Sequence, residues 1–272
     1  MIPLSSSFGL IQWIENTKSL DDLIQFAHES NSDRNKKIHD DYAKWISNAA
    51  PKKQPSDQYK EAVSKYDQQT VTERMKSLIG ETMKTALRDA FVKISQSPEC
   101  FVTLRRNFIA SYATMCAAHW LAGVGDRHLQ NTLVHVATGR CLGIDFGHAF
   151  GLGIRTSIPE LVPFRLTPQI LELLRPFTER DLLATIMTHT MRALRDDQGP
   201  ILACMDIFVN KPTQRSSSID DGDMRNAGKN IEAGIKECTV AMPECYEFTV
   251  TFGLMHRIDV KPDGEFSKIC LV

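Results

Sequence analysis

Apolar residues recur at intervals of three to five at Leu78, Met83, Leu87, Phe91 and Ile94, the spacing that puts side chains on one face of an amphipathic helix. A second helix is predicted from Arg105 to Ala122. The most apolar stretch, Ala113 to Val124, is twelve residues long and contains His119, which is too short for a bilayer and suits a buried helix. No second ligand stands at helical spacing from His119, so it reads as a satisfied core or boundary histidine. Two short apolar runs follow, Thr132 to Val136 and Cys141 to Phe146, joined by Ala137-Thr138-Gly139-Arg140, and together they predict a β-hairpin. Thr167-Pro168 reads as an N-cap with proline at the first helical position, starting a helix through Leu174. The next runs from about Glu179 to Arg195, with Leu182, Ile186 and Leu194 inward, and stops near Gly199-Pro200. Ile201 to Val209 predicts a final core helix. The pattern is that of a mainly α chain (α+β) built around one small strand pair.

Polar stretches punctuate this order. Lys52 to Gln69 is rich in Lys, Gln, Asp and Ser and predicts a loop, and residues 213–230 form a Ser, Asp, Gly and Asn stretch that reads as flexible. Phe248, Val250, Phe252 and Leu254 alternate within Glu247 to Val260 as a strand would. Hydrophobic residues make up 42% of 272, enough for a buried core in one large domain or two small ones. With 32 basic against 33 acidic residues, no basic excess marks a DNA-binding surface. Seven cysteines, at 100, 116, 141, 204, 238, 245 and 270, are dispersed without a C-x-x-C pair, which predicts reduced thiols in a soluble intracellular protein and no zinc site. Met1 leads into Ile-Pro-Leu-Ser without the basic start and apolar run of a secretory signal.

The candidate chemistry lies between residues 123 and 147. Gly123-Val124-Gly125-Asp126-Arg127-His128-Leu129-Gln130-Asn131 places Asp126 and Asn131 five apart, and Asp145-Phe146-Gly147 begins fourteen residues after Asn131. This is the D-x-x-x-x-N and D-F-G order of a kinase, set here across the predicted hairpin. Phosphoryl transfer needs a carboxylate that orients the attacking hydroxyl and oxygen ligands that hold Mg²⁺ against phosphates. Asp126 suits the first role, and Asn131 with Asp145 the second, since an amide plus a carboxylate avoids crowding negative charges beside a polyphosphate. Either motif alone is weak: Asp-Phe-Gly is common, and Gly-Asp-Arg-His could be a turn whose Asp caps the next segment. The glycines at 123 and 125 do not make a dinucleotide loop, because the third glycine and a preceding strand are missing. A phosphohydrolase using Asp126 and Asp145 would need further carboxylate or His ligands nearby.

The order Asp126-Arg127-His128 reverses the His-Arg-Asp of ordinary protein kinases, and in the Gly-Asp-Arg-His-x-x-Asn form it resembles the phosphatidylinositol 3-kinase-related superfamily. Pro3-Leu4-Ser5-Ser6 with Gly9-Leu10-Ile11-Gln12-Trp13-Ile14 is similar to the segment after that family's hinge, and Pro163-Phe164-Arg165-Leu166-Thr167 to the end of its activation loop. Ile144-Asp145-Phe146-Gly147-His148-Ala149-Phe150-Gly151, Pro159-Glu160-Leu161 and Met205-Asp206-Ile207-Phe208-Val209 are similar to the branch that acts at DNA ends. The resemblance covers residues 1–212 and stops there, leaving 213–272 as a divergent, partly flexible tail.

The resemblance implies the helical C-lobe of a PI3K-like kinase, with the hairpin carrying the catalytic and Asp-Phe-Gly loops, and with ATP and Mg²⁺ as cofactors. It implies Asp126 as catalytic base, His128 near the transferring phosphate, Asn131 and Asp145 as Mg²⁺ ligands, and Leu133 and Ile144 as the floor beneath adenine. By alternation alone the last two are inward strand residues, and His128 could merely order its loop. His148, Arg155 and Arg165 fall in the activation segment. With only two arginines it is poor in the clustered charge that an inositol phosphate requires, which favours a protein hydroxyl, with Ser or Thr implied by the resemblance. Also implied are the Ku heterodimer at DNA ends as partner, a role in repair of double-strand breaks and a nuclear location. The Gly-rich phosphate loop, the ATP-pairing Lys, the helix C Glu and the closing FATC segment have no counterpart in these residues, so weak Mg-ATP binding and little activity are expected of the chain alone. A non-catalytic scaffold and a phosphoinositide kinase are the rival readings.

Overall fold

Pro98 to Leu121 form one 24-residue helix, and the rest of the core is arranged around it. The computed structural model describes residues 2–4, 8–27, 32–49, 57–58, 61, 64–150, 153, 164–210, 257–260 and 266–269. Two short strands, β1 (Ile2–Pro3) and β2 (Gly9–Leu10), pair antiparallel. They are followed by β3 (Thr17–Ser19), α1 (Leu20–Ala27), α2 (Ser32–Ala49), α3 (Gln68–Gly80), α4 (Ala86–Ile94) and α5 (Pro98–Leu121). After α5 come β4 (Thr132–His135), β5 (Cys141–Gly143), α6 (Pro168–Leu174), α7 (Thr185–Asp196) and α8 (Gly199–Asn210). A last antiparallel pair, β6 (Arg257–Val260) and β7 (Phe266–Ile269), lies in the C-terminal residues. The mainly helical chain with a small antiparallel sheet is the expected fold class.

The buried cluster draws on the helices around α5: Leu20 and Leu23 from α1, Leu87 and Phe91 from α4, Phe108, Tyr112 and Cys116 from α5, Ile170, Leu173 and Leu174 from α6, and Met187 from α7. Phe91 meets Phe108 edge-on at 5.3 Å, and Phe108 stacks on Tyr112 at 5.4 Å, geometries that add to simple burial. The Tyr112 hydroxyl donates to the Arg165 carbonyl, which ties the chain just before α6 to the central helix. Burial holds the Cys116 thiol and the Tyr112 hydroxyl well above their ordinary values, helped by the nearby Cys141 thiol. In the folded state both stay protonated while the unfolded thiol ionises above its ordinary value of 9.0. The unfolded chain then binds fewer protons, so stability falls as pH rises, by about 1.4 kcal/mol per pH unit for the thiol, with the phenol adding to it higher up. Urea midpoints at pH 8, 9 and 10 check this; a midpoint unchanged through pH 10 would contradict it.

Several predicted elements keep their place with altered bounds. The single helix expected from Leu78 to Ile94 is two. Gly80 is a poor helix former, and just beyond it the Thr82 hydroxyl donates to the Ile79 carbonyl at 2.7 Å, a local bond that competes with helix continuation. The loop expected over Lys52 to Gln69 is instead helical at residues 57, 58, 61, 64 and 65, and Asp67 then caps α3 by accepting from the Thr70 amide at 2.8 Å. The helix expected from Arg105 starts at Pro98, where the Ser97 hydroxyl accepts from the Cys100 amide at 3.2 Å and proline takes the first position. The helix from Thr167-Pro168 to Leu174 has the expected bounds, with Thr167 as its cap.

The segment from Glu179 begins with a π turn, Arg180–Ala184, in which the Ala184 amide bonds the Glu179 carbonyl at 3.0 Å. The extra residue rotates the inward face, so Leu183 and Met187 are buried while Leu182 and Ile186 only flank the core and Leu194 is half-buried. Helix α7 ends at Asp196, close to the stop expected near Gly199-Pro200, and those two residues start α8. In its first turn Ile201 and Leu202 are half-buried and Ala203 and Cys204 exposed. Residues 213–230 and 247–256 lie outside the described residues. Among the described residues no helix is long and apolar enough to cross a membrane.

The expected strand pair is a three-stranded sheet in the order β3, β4, β5. Leu133 pairs with Leu142 on one side and Ser19 on the other. Thr17-Lys18-Ser19 carries no apolar alternation, so it escaped a reading by period; the Ser19-x-x-Asp22 that follows was the available signal. There the Ser19 amide donates to Asp22 Oδ2 at 3.2 Å and the Asp22 amide to Ser19 Oγ at 3.0 Å, a reciprocal cap that starts α1. The hairpin turn is fixed to α5: Asn107 Nδ2 donates to the Thr138 carbonyl and the Cys141 amide to Ser111 Oγ, both at 2.8 Å. Gly139 has a φ of +74°, and a Cβ there would overlap the Leu104 backbone. The turn therefore needs glycine.

Candidate active site

The C-terminus of α5 launches the loop that carries Asp126. Gly123 adopts a φ of +55°, its amide bonds the Trp120 carbonyl at 3.2 Å, and the Val124 amide bonds the His119 carbonyl at 3.0 Å. This is the crossed pair of a Schellman ending, so the glycine read as part of a motif also has a structural task. Asp126 follows with a φ of +56°, a left-handed conformation that is costly for a side-chain residue and concentrated at functional sites. A single 3₁₀ turn, Leu129–Asn131, then leads into β4. Across the hairpin Asp145 also takes a left-handed φ, +54°. Both candidate acids are thus held in backbone conformations that the surroundings must impose.

Two residues bind the loops into one unit. Asn131, buried at 6% exposure, donates its side-chain amide to the Asp126 carbonyl at 2.8 Å and accepts the Ile144 amide on its own carbonyl at 3.0 Å. The amide nitrogen being spent on Asp126, the oxygen is the end left to face a cation. Arg127, 3% exposed, donates to the carbonyls of Gly125 at 2.8 Å and Ile144 at 2.9 Å, and to that of Asp145. Its guanidinium also lies 5.6 Å from the centre of the Phe146 ring, and its own carbonyl accepts from Arg165 Nε at 3.0 Å. Sequence reasoning quoted Arg127 within the motif and gave it no role. Its fork joins both acidic loops, an arrangement that only a buried rigid multi-donor can make.

The remaining expected residues divide by position. Leu133 is buried at 5% and Ile144 is half-buried beside the loop. The His128 ring is exposed. His148 was assigned to the activation segment, and in the structure its Nδ1 lies 3.8 Å from Asp126 Oδ2 while its carbonyl accepts the Gly125 amide at 2.8 Å. Arg165 is turned toward the Arg127 carbonyl. Arg155 lies outside the described residues. His119 is buried, as expected of a core histidine, and meets Phe146 edge-on at 5.6 Å.

The donor set fits a hard divalent cation bound jointly with phosphates. Asn131 and Asp145 offer one amide and one carboxylate, and Mg²⁺ is commonly held by one or two protein oxygens plus substrate phosphates. Among the described residues no cluster of three His, Cys, Asp or Glu could hold a metal by itself. The Asp145 carboxylate is exposed and accepts only a local bond from the Gly147 amide, at 3.3 Å, among those the structure gives it. Asp126, partly exposed at its carboxylate, stands where an incoming hydroxyl could meet it.

Comparison with known proteins places the chain in a family. The profile of the family described as Phosphatidylinositol 3- and 4-kinase matches residues 1–216. The chain is 38% identical over 239 residues to the DNA-dependent protein kinase catalytic subunit of Mus musculus and 36% identical over 237 residues to that of Gallus gallus. Each match takes in 85% of this chain but only 6% of the relative, so the chain spans a small part of the proteins it matches. A solved structure titled FAT and kinase domain of CtTel1 shares the fold at a TM-score of 0.73 and 23% identity, over 92% of this chain and 17% of that one. On the extent of the family match, the chain belongs to the phosphatidylinositol 3- and 4-kinase family, among its phosphatidylinositol 3-kinase-related protein kinases.

Proposed function

We propose that this chain carries the catalytic and metal-binding side of a Ser/Thr protein kinase site of the DNA-dependent protein kinase type. The observation that carries the reading is the double tie made by Asn131, side chain to Asp126 and backbone to Ile144, which holds a left-handed Asp126 against a left-handed Asp145. Asp126 orients the attacking hydroxyl and takes its proton, and His128 stands exposed next to it to contact the transferring phosphate. Asn131 and Asp145 hold Mg²⁺, which when bound offsets the phosphate charge. Leu133 and Ile144 form the apolar floor for adenine.

A protein hydroxyl is favoured over an inositol lipid. The activation segment has only two arginines, poor in the clustered charge that pairs a headgroup's phosphates. The relatives' name, DNA-dependent protein kinase catalytic subunit, supports a kinase activity that depends on DNA; a role in double-strand break repair, with Ku as partner and a nuclear location, is the further part of this proposal. A scaffold that has lost catalysis would have no need to retain Asp126, Asn131 and Asp145 together.

Transfer of labelled γ-phosphate separates the readings. The longest native form of the protein is offered a Ser/Thr peptide, phosphoinositide vesicles, or no acceptor. Label in the peptide, lost in Asp126→Asn, is the expected result. Label in lipid, or phosphate released equally without acceptor, would overturn the assignment.

A further inference from the structure

We propose that His119, outside both loops, is a positioning residue for Asp145, acting through the Phe146 ring; this rests on the reading of Asp145 as the metal-facing carboxylate. Phe146 is 52% exposed, so burial in a core does not set its position. Its ring is instead held between two neighbours anchored elsewhere, the His119 ring edge-on at 5.6 Å and 74°, and the Arg127 guanidinium 5.6 Å from its centre. His119 sits in the last turn of α5 at 5% exposure, and its carbonyl receives the Val124 amide that closes the helix. It is therefore fixed to the rigid element from which the Asp126 loop departs.

Gly143 supplies the space. A Cβ at Gly143 would lie 2.7 Å from His119 Nε2, 2.9 Å from Cε1 and 3.2 Å from Phe146 Cζ. The imidazole thus fills the place a side chain would take at the end of β5, two residues before Asp145. Helix α5, the end of β5 and the ring next to Asp145 meet at this one imidazole. Moving it shifts Phe146, and Phe146 is bonded to the residue whose left-handed backbone aims the carboxylate. A ring of this shape on α5 registers the second acidic loop against the first.

Hydrogen exchange tests this without requiring activity. Residues 142–150 contain the Ile144, Gly147, Ala149 and Phe150 amides, each bonded in the structure. In His119→Ala, exchange across 142–150 rises between about twofold and about tenfold, the loss of one aromatic contact, while peptides within residues 104–117 and the thermal midpoint hold. Gly143→Ala gives the same local rise by crowding the ring. Mn²⁺ affinity in the presence of ATP falls by a similar factor in both variants, with metal-free ATP binding unchanged. Unchanged exchange over 142–150, or a parallel rise along 104–117, would make His119 a packing residue only and overturn the proposal. If exchange rises as stated but unaltered protein binds no Mn²⁺·ATP, the fault lies in the reading of Asp145, and the metal-positioning role falls with it.

Discussion

Asp145→Asn should lower Mg²⁺-dependent ATP affinity by at least about a hundredfold, the scale of several kcal/mol that a metal ligand's charge contributes, while leaving the fold intact. The reason lies in what the residue does not do. Its carboxylate is exposed and accepts one local bond, from the Gly147 amide at 3.3 Å, so little stability depends on its charge. Asparagine tolerates the left-handed φ of +54° and can still accept that bond. Stability in urea should therefore change by no more than about 1 kcal/mol. Calorimetric titration with and without Mg²⁺ separates the outcomes: metal-free ATP binding persists and the metal's enhancement disappears. Equal affinity for Mg-ATP in both proteins would mean that Asp145 is not a ligand.

Arg127→Met should show the opposite profile, with a loss of about 3–4 kcal/mol of folding stability. At 3% exposure the guanidinium donates to three carbonyls of two loops. Its removal leaves those acceptors buried with less than their complement of donors. Arg127→Lys should recover little, because one ammonium cannot reach the Gly125, Ile144 and Asp145 carbonyls together. Urea unfolding of both variants measures this, and a cost below about 1 kcal/mol would show that Asn131 alone ties the loops. Asp145 and Arg127 thus divide function from architecture: one is exposed and dispensable for folding, the other buried and needed to place its neighbour.

What could be read from the sequence follows from how local the signal is. Thr167-Pro168 caps α6 through chemistry contained within four residues, and the expected bounds are the observed ones. The hairpin turn with its glycine at 139 was equally local. The first strand of the three-stranded sheet was not found, because Thr17-Lys18-Ser19 forms a strand only by pairing, with Lys18 opposite Val134, more than a hundred residues on. The period of Leu78, Met83, Leu87 and Phe91 suggested one helix because apolar spacing does not register a short interruption; the Thr82 hydroxyl makes that interruption. The π turn before α7 moved the buried face to Leu183 and Met187 for a similar reason.

At the site, residue types and spacing singled out Asp126, Asn131 and Asp145 as candidates, since the chemistry restricts the choice, and the structure brings their two loops together. The supporting residues were harder to see. Arg127 and His119 act through backbone carbonyls and a ring edge, interactions that leave no periodic or spacing pattern. Only a consideration of which donor could satisfy the carbonyls of Gly125, Ile144 and Asp145 together would have pointed to Arg127. The nearness of His148 to Asp126, 3.8 Å, likewise depends on how the second loop folds back over the first.

The central claim is that the loop of Asp126 and the loop of Asp145 hold one metal-nucleotide site. Substoichiometric Mn²⁺·ATP added to the isotope-labelled chain tests it directly, since paramagnetic broadening reports even weak binding. The account predicts selective loss of amide signals from residues 126–131 and 144–148, absent in Asp145→Asn. Broadening centred elsewhere, or unchanged by that substitution, would contradict it.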